Sequence, residues 1–242
     1  MHHFVAIALL FSSLASAQTV DEIIAKNIQA RGGETKLKSF QTVRITGKIT
    51  MGSFNAGMVQ EVKRGNKVRE ETIIQGMTAI QAYDGKTAWQ VTPFEGRKDP
   101  DLLSEDDRKS LVENADIEGQ LVDYKNKDHR AELMGHDLVE GTDCYKIRLS
   151  LSNGDTKIYY IDTDSFLELK VETERNIRGT IRYEETLYGD YERVDGVFFP
   201  MAIEMGKKGE SQHAKLTVGK VEINVPADDS IFAIPATGGI KR

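Results

Sequence analysis

The sequence predicts a mainly β protein: one long, curved antiparallel sheet of about ten strands, with a few helices closing one side. Three observations carry that expectation. Apolar and polar residues alternate along most of the chain, turn dipeptides recur between the alternating runs, and helical patterning is confined to two stretches.

The helices come first in the chain. Thr19 and Glu22 have the spacing of a capping box, Ile23, Ile24 and Ile28 mark one face, and Gly32-Gly33 stops the run. A second helix is expected over residues 104–124. Ser104 with Asp107 forms a capping signature, Asp106 and Asp107 suit the positive end of a helix dipole, and Gly119 divides the stretch.

The strands follow from period two. Val43, Ile45, Gly47, Ile49 and Met51 alternate with Arg44, Thr46, Lys48 and Thr50. Tyr145, Ile147, Leu149 and Leu151 alternate with Lys146, Arg148 and Ser150, and Leu167, Leu169 and Val171 with Glu168, Lys170 and Glu172. Such patterning puts one face on a core and the other in water, as in an antiparallel sheet. Gly65-Asn66, Asp84-Gly85, Asn153-Gly154 and Asp195-Gly196 supply hairpin turns, and Asp162-Thr163-Asp164 breaks another strand pair. No Pro-rich linker, charge block or repeat divides the chain, so residues 18–242 read as one domain.

Residues 1–17 read as a secretory signal peptide. Phe4 to Leu14 is almost wholly apolar, shorter than the roughly 20 residues of a membrane span, and Ala15-Ser16-Ala17 offers a cleavage site after Ala17. A lipid anchor would need a Cys directly after that site. The residue there is Gln18, so an exported chain with an unlipidated N-terminus is expected.

Composition narrows the chemistry. The formal net charge of −6 argues against a nucleic-acid partner, which calls for a surplus of Lys and Arg. Cys144 is the lone cysteine, so no internal disulfide is possible. His129, His136 and His213 lack the i, i+4 spacing of a helical zinc site, no Ser sits in a Gly-x-Ser-x-Gly elbow, and no glycine-rich loop has phosphate-cradle spacing. Turns and a helix cap account for the acids at Asp162, Asp164 and 99–107, and nothing selects a pair of acids for hydrolysis. No catalytic residue, metal or cofactor is expected.

The most distinctive stretch is Tyr83-Asp84-Gly85-Lys86-Thr87-Ala88-Trp89-Gln90-Val91-Thr92-Pro93-Phe94, a hairpin with Trp89 and Val91 on one face. Its Asp-Gly-Lys-Thr-x-Trp run and following Pro-Phe resemble the corresponding hairpin of the periplasmic outer-membrane lipoprotein carriers, the LolA-like family. Three further features agree in order. The first helix leads into a strand through Leu37 and Phe40, Val62-Lys63-Arg64-Gly65-Asn66 resembles the family's strand end bearing an Arg that bonds to lid helices, and Asp229-Ser230-Ile231-Phe232-Ala233-Ile234-Pro235 resembles its closing Phe-x-x-Pro.

The resemblance implies an unclosed, curved antiparallel β-barrel with helices as a lid over an apolar cavity. It implies a monomeric periplasmic carrier that takes acylated lipoprotein or lipid cargo from an inner-membrane transporter and passes it to an outer-membrane acceptor, with no covalent chemistry. The inward residues are expected to be Ile45, Ile49, Met58, Val62, Trp89, Val91, Phe94, Tyr145, Ile147, Leu149, Leu169 and Val171, with Leu111 and Val112 from the lid. Met51, Met58, Met77 and Met201 suit an adjustable pocket. Arg64 is expected to latch the lid. Gly65 stands where the family has Pro, and extra sequence lies around Tyr188 to Gly209, so the cargo could equally be a glycolipid, a terpenoid or a free fatty acid. The other reading is an extracytoplasmic sensor or interaction domain that binds a lipid or envelope protein and reports to a signalling partner.

Overall fold

The computed structural model describes residues 18–96 and 99–235. The expected signal peptide, residues 1–17, lies outside the described residues. Three helices precede or interrupt the strands: α1 (Val20–Arg31), α2 (Glu34–Ser39) and α3 (Lys109–Asn114). The strands are β1 (Thr42–Met51), β2 (Phe54–Lys63), β3 (Lys67–Ile74), β4 (Met77–Tyr83), β5 (Ala88–Val91), β6 (Asp101–Leu102), β7 (Arg130–Val139), β8 (Thr142–Ser150), β9 (Thr156–Asp162), β10 (Glu168–Ile177), β11 (Thr180–Val194), β12 (Val197–Lys207) and β13 (Ala214–Ile223).

All thirteen form one antiparallel sheet in the order β6-β5-β4-β3-β2-β1-β13-β12-β11-β10-β9-β8-β7. The chain meanders from β1 out to β6, crosses back over the sheet through residues 103–129, and meanders from β7 to β13, which pairs with β1. The sheet is curved but not closed, with β6 and β7 as its two edges.

The curvature can be read from α3. Asn114 donates to Glu70 of β3 at 2.9 Å, while its neighbour Glu113 accepts from Arg175 of β10 at 2.7 Å. Those strands are six places apart in the sheet, roughly 29 Å if it were flat at about 4.8 Å per strand. Two adjacent residues reach both because the sheet wraps around the crossing segment.

Local chemistry sets the boundaries. The capping box forms as expected: Thr19 N–H donates to the Glu22 carboxylate at 2.8 Å and Glu22 N–H donates to the Thr19 hydroxyl at 3.3 Å. Gly32 ends α1 at φ +139°, where a Cβ would stand 2.8 Å from the Gly196 carbonyl oxygen. The strand count exceeds the sequence expectation because Gln75-Gly76, Glu140-Gly141 and Arg178-Gly179 turn with positive φ at both residues and close extra hairpins without the Asn or Asp that usually marks them.

The second helix is much shorter than expected. Only Lys109–Asn114 is α-helical, and the rest of 104–129 is a chain of turns. Gly119 at φ +88° and Asp123 at φ +51° break the helical path. Ser104 does not cap this helix, whose N-cap is Arg108; its hydroxyl accepts from Asp107 N–H at 3.2 Å within the preceding turn.

Helices and crossing segment cover one face of the sheet. Ile23 and Ile24 of α1, with Leu121 and Tyr124, pack on Ile147, Leu149, Tyr159, Ile161 and Val171. Leu37, Phe40 and Val122 pack on Val43, Val197, Leu216, Val218 and Val221. The opposite face carries a small cluster of Val139, Cys144 and Tyr160.

Candidate functional site

The structure distributes the expected inward residues unevenly. Ile45, Ile49 and Met58 pack against the cluster around Phe40 and Val218. Val62 and Leu111 share a cluster with Val68, Ala88 and Ala115. Tyr145, Ile147, Leu149 and Val171 join the cluster under α1. All of these lie on the helix-bearing face.

Trp89 and Val91 do not. Tyr83 pairs with Ala88 and Ala82 with Trp89, and Tyr83 shares the helix-bearing face with Val62 and Val68, so Ala88 takes the inward position and Trp89 points the other way. The C-terminal segment covers it there: the fully buried indole N–H donates to the Phe232 carbonyl at 2.8 Å, and Arg69 binds the Ile231 carbonyl beside it. The large ring belongs to a second, outer core that sequence alternation alone does not reveal.

Leu169 is displaced by a β-bulge. Glu168 pairs with Ile161 and Lys170 with Tyr160, leaving Leu169 as the extra residue, packed against Val139, Cys144 and Tyr160 on the outer face. Phe94 sits in a 3₁₀ turn (Pro93–Glu95) and is 40% exposed, and Val112 lies on the solvent side of α3 at 36% exposed.

The strand-end Arg64 makes three hydrogen bonds. Nε donates to the Phe40 carbonyl at 2.8 Å and Nη2 to the Lys38 carbonyl at 2.8 Å, both at the end of α2, while Nη1 meets Glu118 of the crossing segment at 2.7 Å. A second ionic tie lies on the far side. Glu113 of α3 accepts from Arg175 at 2.7 Å and pairs with Lys157 at 2.8 Å, and Arg175 also reaches Asp155 at 3.1 Å. Burial pushes both carboxyl groups toward their neutral forms. For Glu113 the charges of Lys157 and Arg175 overcome it and hold the pKa low, whereas for Asp155 burial prevails and the pKa is raised.

Between sheet and crossing segment lies an open cleft of about 320 Å³, near the lower end of the roughly 300–1,000 Å³ of small-molecule sites. Its apolar lining includes Ile117, Leu121, Val171 and Phe199, with Tyr159, Tyr188 and Tyr191 beside them. Arg31, Glu113, Asp116, Lys157 and Glu168 add charge. Of the expected inward residues only Val171 borders this cleft; Ile45, Ile49, Met58, Val62, Leu111, Tyr145, Ile147 and Leu149 pack in the core around it. Burial lifts all three tyrosine hydroxyls well above the ordinary range, so each keeps its proton. Tyr191 spends its proton on the Glu168 carbonyl at 2.7 Å. Tyr188 and Tyr191 stand in the extra segment, where a left-handed Asp190 (φ +51°) interrupts the alternation that would have placed them.

Among the described residues no cluster of three or more His, Cys, Asp or Glu could hold a metal, and no helix is long and apolar enough to cross a membrane. Cys144 is buried, and that burial pushes its thiol up to about 11.

Comparison with known proteins adds the family. None of the curated proteins matches the chain. Three solved structures share its fold. A domain named for outer membrane lipoprotein sorting, from Vibrio parahaemolyticus, aligns with a TM-score of 0.59 at 12% identity over 88% of this chain and 95% of its own. A LolA superfamily protein of Nitrosomonas europaea gives 0.60 at 16% identity, covering 90% and 98%. A DUF1329 family protein of Desulfovibrio piger gives 0.61 at 12% identity, covering 90% and 98%. A protein-family model with the description "Uncharacterized protein" matches residues 102–235, more than half of the chain. The chain belongs to that protein family, and the fold it adopts is LolA-like.

Proposed function

We propose that the chain is an exported carrier that shelters the acyl chain of a lipid or acylated lipoprotein between its sheet and its crossing segment. The observation that carries this reading is the cleft of about 320 Å³, lined by Val171, Phe199 and three tyrosines, in a fold shared with a domain named for outer membrane lipoprotein sorting and with a LolA superfamily protein. A chain of about sixteen carbons has on the order of 12 kcal/mol to lose in water, at about 0.8 kcal/mol per methylene. A diffusing carrier must replace the membrane with apolar surface, and it must also let go.

The two ionic ties suit release. Arg64 and Arg175 tie the crossing segment by hydrogen bonds at its two sides, so opening exchanges these polar contacts together with the apolar packing of Leu121 and Val122. In this reading the chain works as a periplasmic monomer after residues 1–17 are removed. It accepts cargo from an inner-membrane transporter and yields it to an outer-membrane acceptor, with no bond made or broken.

Native mass spectrometry of the mature protein purified from its own cell envelope tests the proposal. A co-purifying lipid or acylated peptide is expected. A ligand-free protein that also fails to bind any apolar probe contradicts it.

A further inference from the structure

Arg31, the last residue of α1, borders the cleft. Its nearest carboxylate oxygen, on Glu168, is 3.9 Å from Nη1, beyond hydrogen-bond reach. Among the described residues the Arg31 side chain makes no hydrogen bond, so its five guanidinium N–H donors have no protein acceptor. Arg64 and Arg175, by contrast, are each bound by two or more acceptors. The guanidinium lies over Gly119, where an added Cβ would stand 3.2 Å from Nη1.

Two more donors border the same space. Among the described residues the Tyr159 hydroxyl has no hydrogen-bond partner, and the Tyr188 hydroxyl meets only that of Thr186. A cation and two phenols with protons to give therefore line a cleft whose apolar side includes Phe199.

We infer that the cleft selects a single-chain amphiphile with an acidic headgroup, a carboxylate or phosphate, held by Arg31 with Tyr159 and Tyr188 donating to it. This rests on the carrier reading and narrows its cargo. A planar guanidinium binds such an acid through paired, charge-assisted hydrogen bonds that an ester or amide cannot match. A cleft of about 320 Å³ also favours one chain over several. Glu168 is the competing charge. Its contact with Arg31 is loose, and once an acid is bound it becomes a repulsive neighbour.

The test is calorimetric titration of the mature protein with palmitate, hexadecyl phosphate, methyl palmitate and inorganic phosphate. Palmitate and hexadecyl phosphate are expected to bind about tenfold or more tighter than methyl palmitate. Arg31→Gln should erase that preference and leave methyl palmitate within about twofold. Glu168→Gln should tighten the acids, whereas a merely structural Arg31–Glu168 pair predicts no gain. Tyr159→Phe, which keeps the ring, should lower the preference by about threefold and serves if Arg31→Gln does not fold. Equal binding of acid and ester by the wild type overturns the headgroup inference and leaves the carrier standing. Inorganic phosphate binding as tightly as hexadecyl phosphate overturns the amphiphile in favour of a free anion. Failure of all three alkyl probes overturns the carrier reading itself.

Discussion

Arg64 at the end of β2 and Glu118 in the crossing segment form an ion pair at 2.7 Å, and the same guanidinium also holds the carbonyls that end α2. One side chain thus ties a strand, a helix end and the segment that roofs the cleft. Arg64→Leu is expected to cost about 1–3 kcal/mol, a range kept low because the guanidinium side chain is 34% exposed and partly screened. Urea unfolding measures that loss. Release of a bound fluorescent lipid should also quicken, and an unchanged release rate would remove Arg64 from the opening step.

The tie on the other side predicts an acid sensitivity. Glu113 and Arg175 are 7% and 5% exposed, so removing one charge strands the other. Glu113→Gln should destabilise the fold by about 3–5 kcal/mol at neutral pH. The folded-state pKa of Glu113 lies below 4.5, so its contribution is whole above about pH 4.5 and fades as the pH falls through the lowered value. Asp155, with its pKa raised, acts in the opposite sense and offsets part of that loss. Chemical denaturation between pH 3 and 7 should show a flatter acid limb in Glu113→Gln than in the wild type.

Trp89 gives a reporter for the outer core. It is the only tryptophan in the chain, fully buried and bound to the Phe232 carbonyl. Phe232→Ala should cost about 3–5 kcal/mol and shift the tryptophan emission to the red. Emission that stays blue in this variant would mean that the C-terminal segment does not seal the outer face.

Cys144 reports on opening of the sheet. A buried thiol pushed up to about 11 resists alkylation at pH 8. Its labelling rate should rise only with denaturant, in step with global unfolding. Rapid labelling of the native protein would contradict the packing of Cys144 against Val139 and Tyr160.

Much of this architecture was legible in the sequence because it rests on local rules. The capping box at Thr19 and Glu22, the alternation through Ile45 and Ile49, and the turns at Asn153-Gly154 and Asp195-Gly196 each need only a few neighbouring residues to act. Arg64 donates to the Phe40 and Lys38 carbonyls at the end of α2. What escaped depends on long-range partners. Trp89 faces outward because a segment 143 residues away covers it, and Leu169 leaves the inner face because a single bulge resets the period. The second helix shrinks because Gly119 and Asp123 leave the helical region and bend the crossing segment. The cleft is bordered by Arg31, Tyr159 and Tyr188, which come from different elements and share no motif.

The carrier reading makes the cleft under the crossing segment the binding site. Ile117 borders it from the roof and is only partly buried, so Ile117→Trp fills the space without disturbing the strands. Equilibrium binding of a fluorescent fatty-acyl probe to wild type and Ile117→Trp, with melting temperature as the control for folding, tests the claim directly. Binding is expected to be at least about tenfold weaker at an unchanged melting temperature. Undiminished binding to a folded Ile117→Trp protein would contradict it.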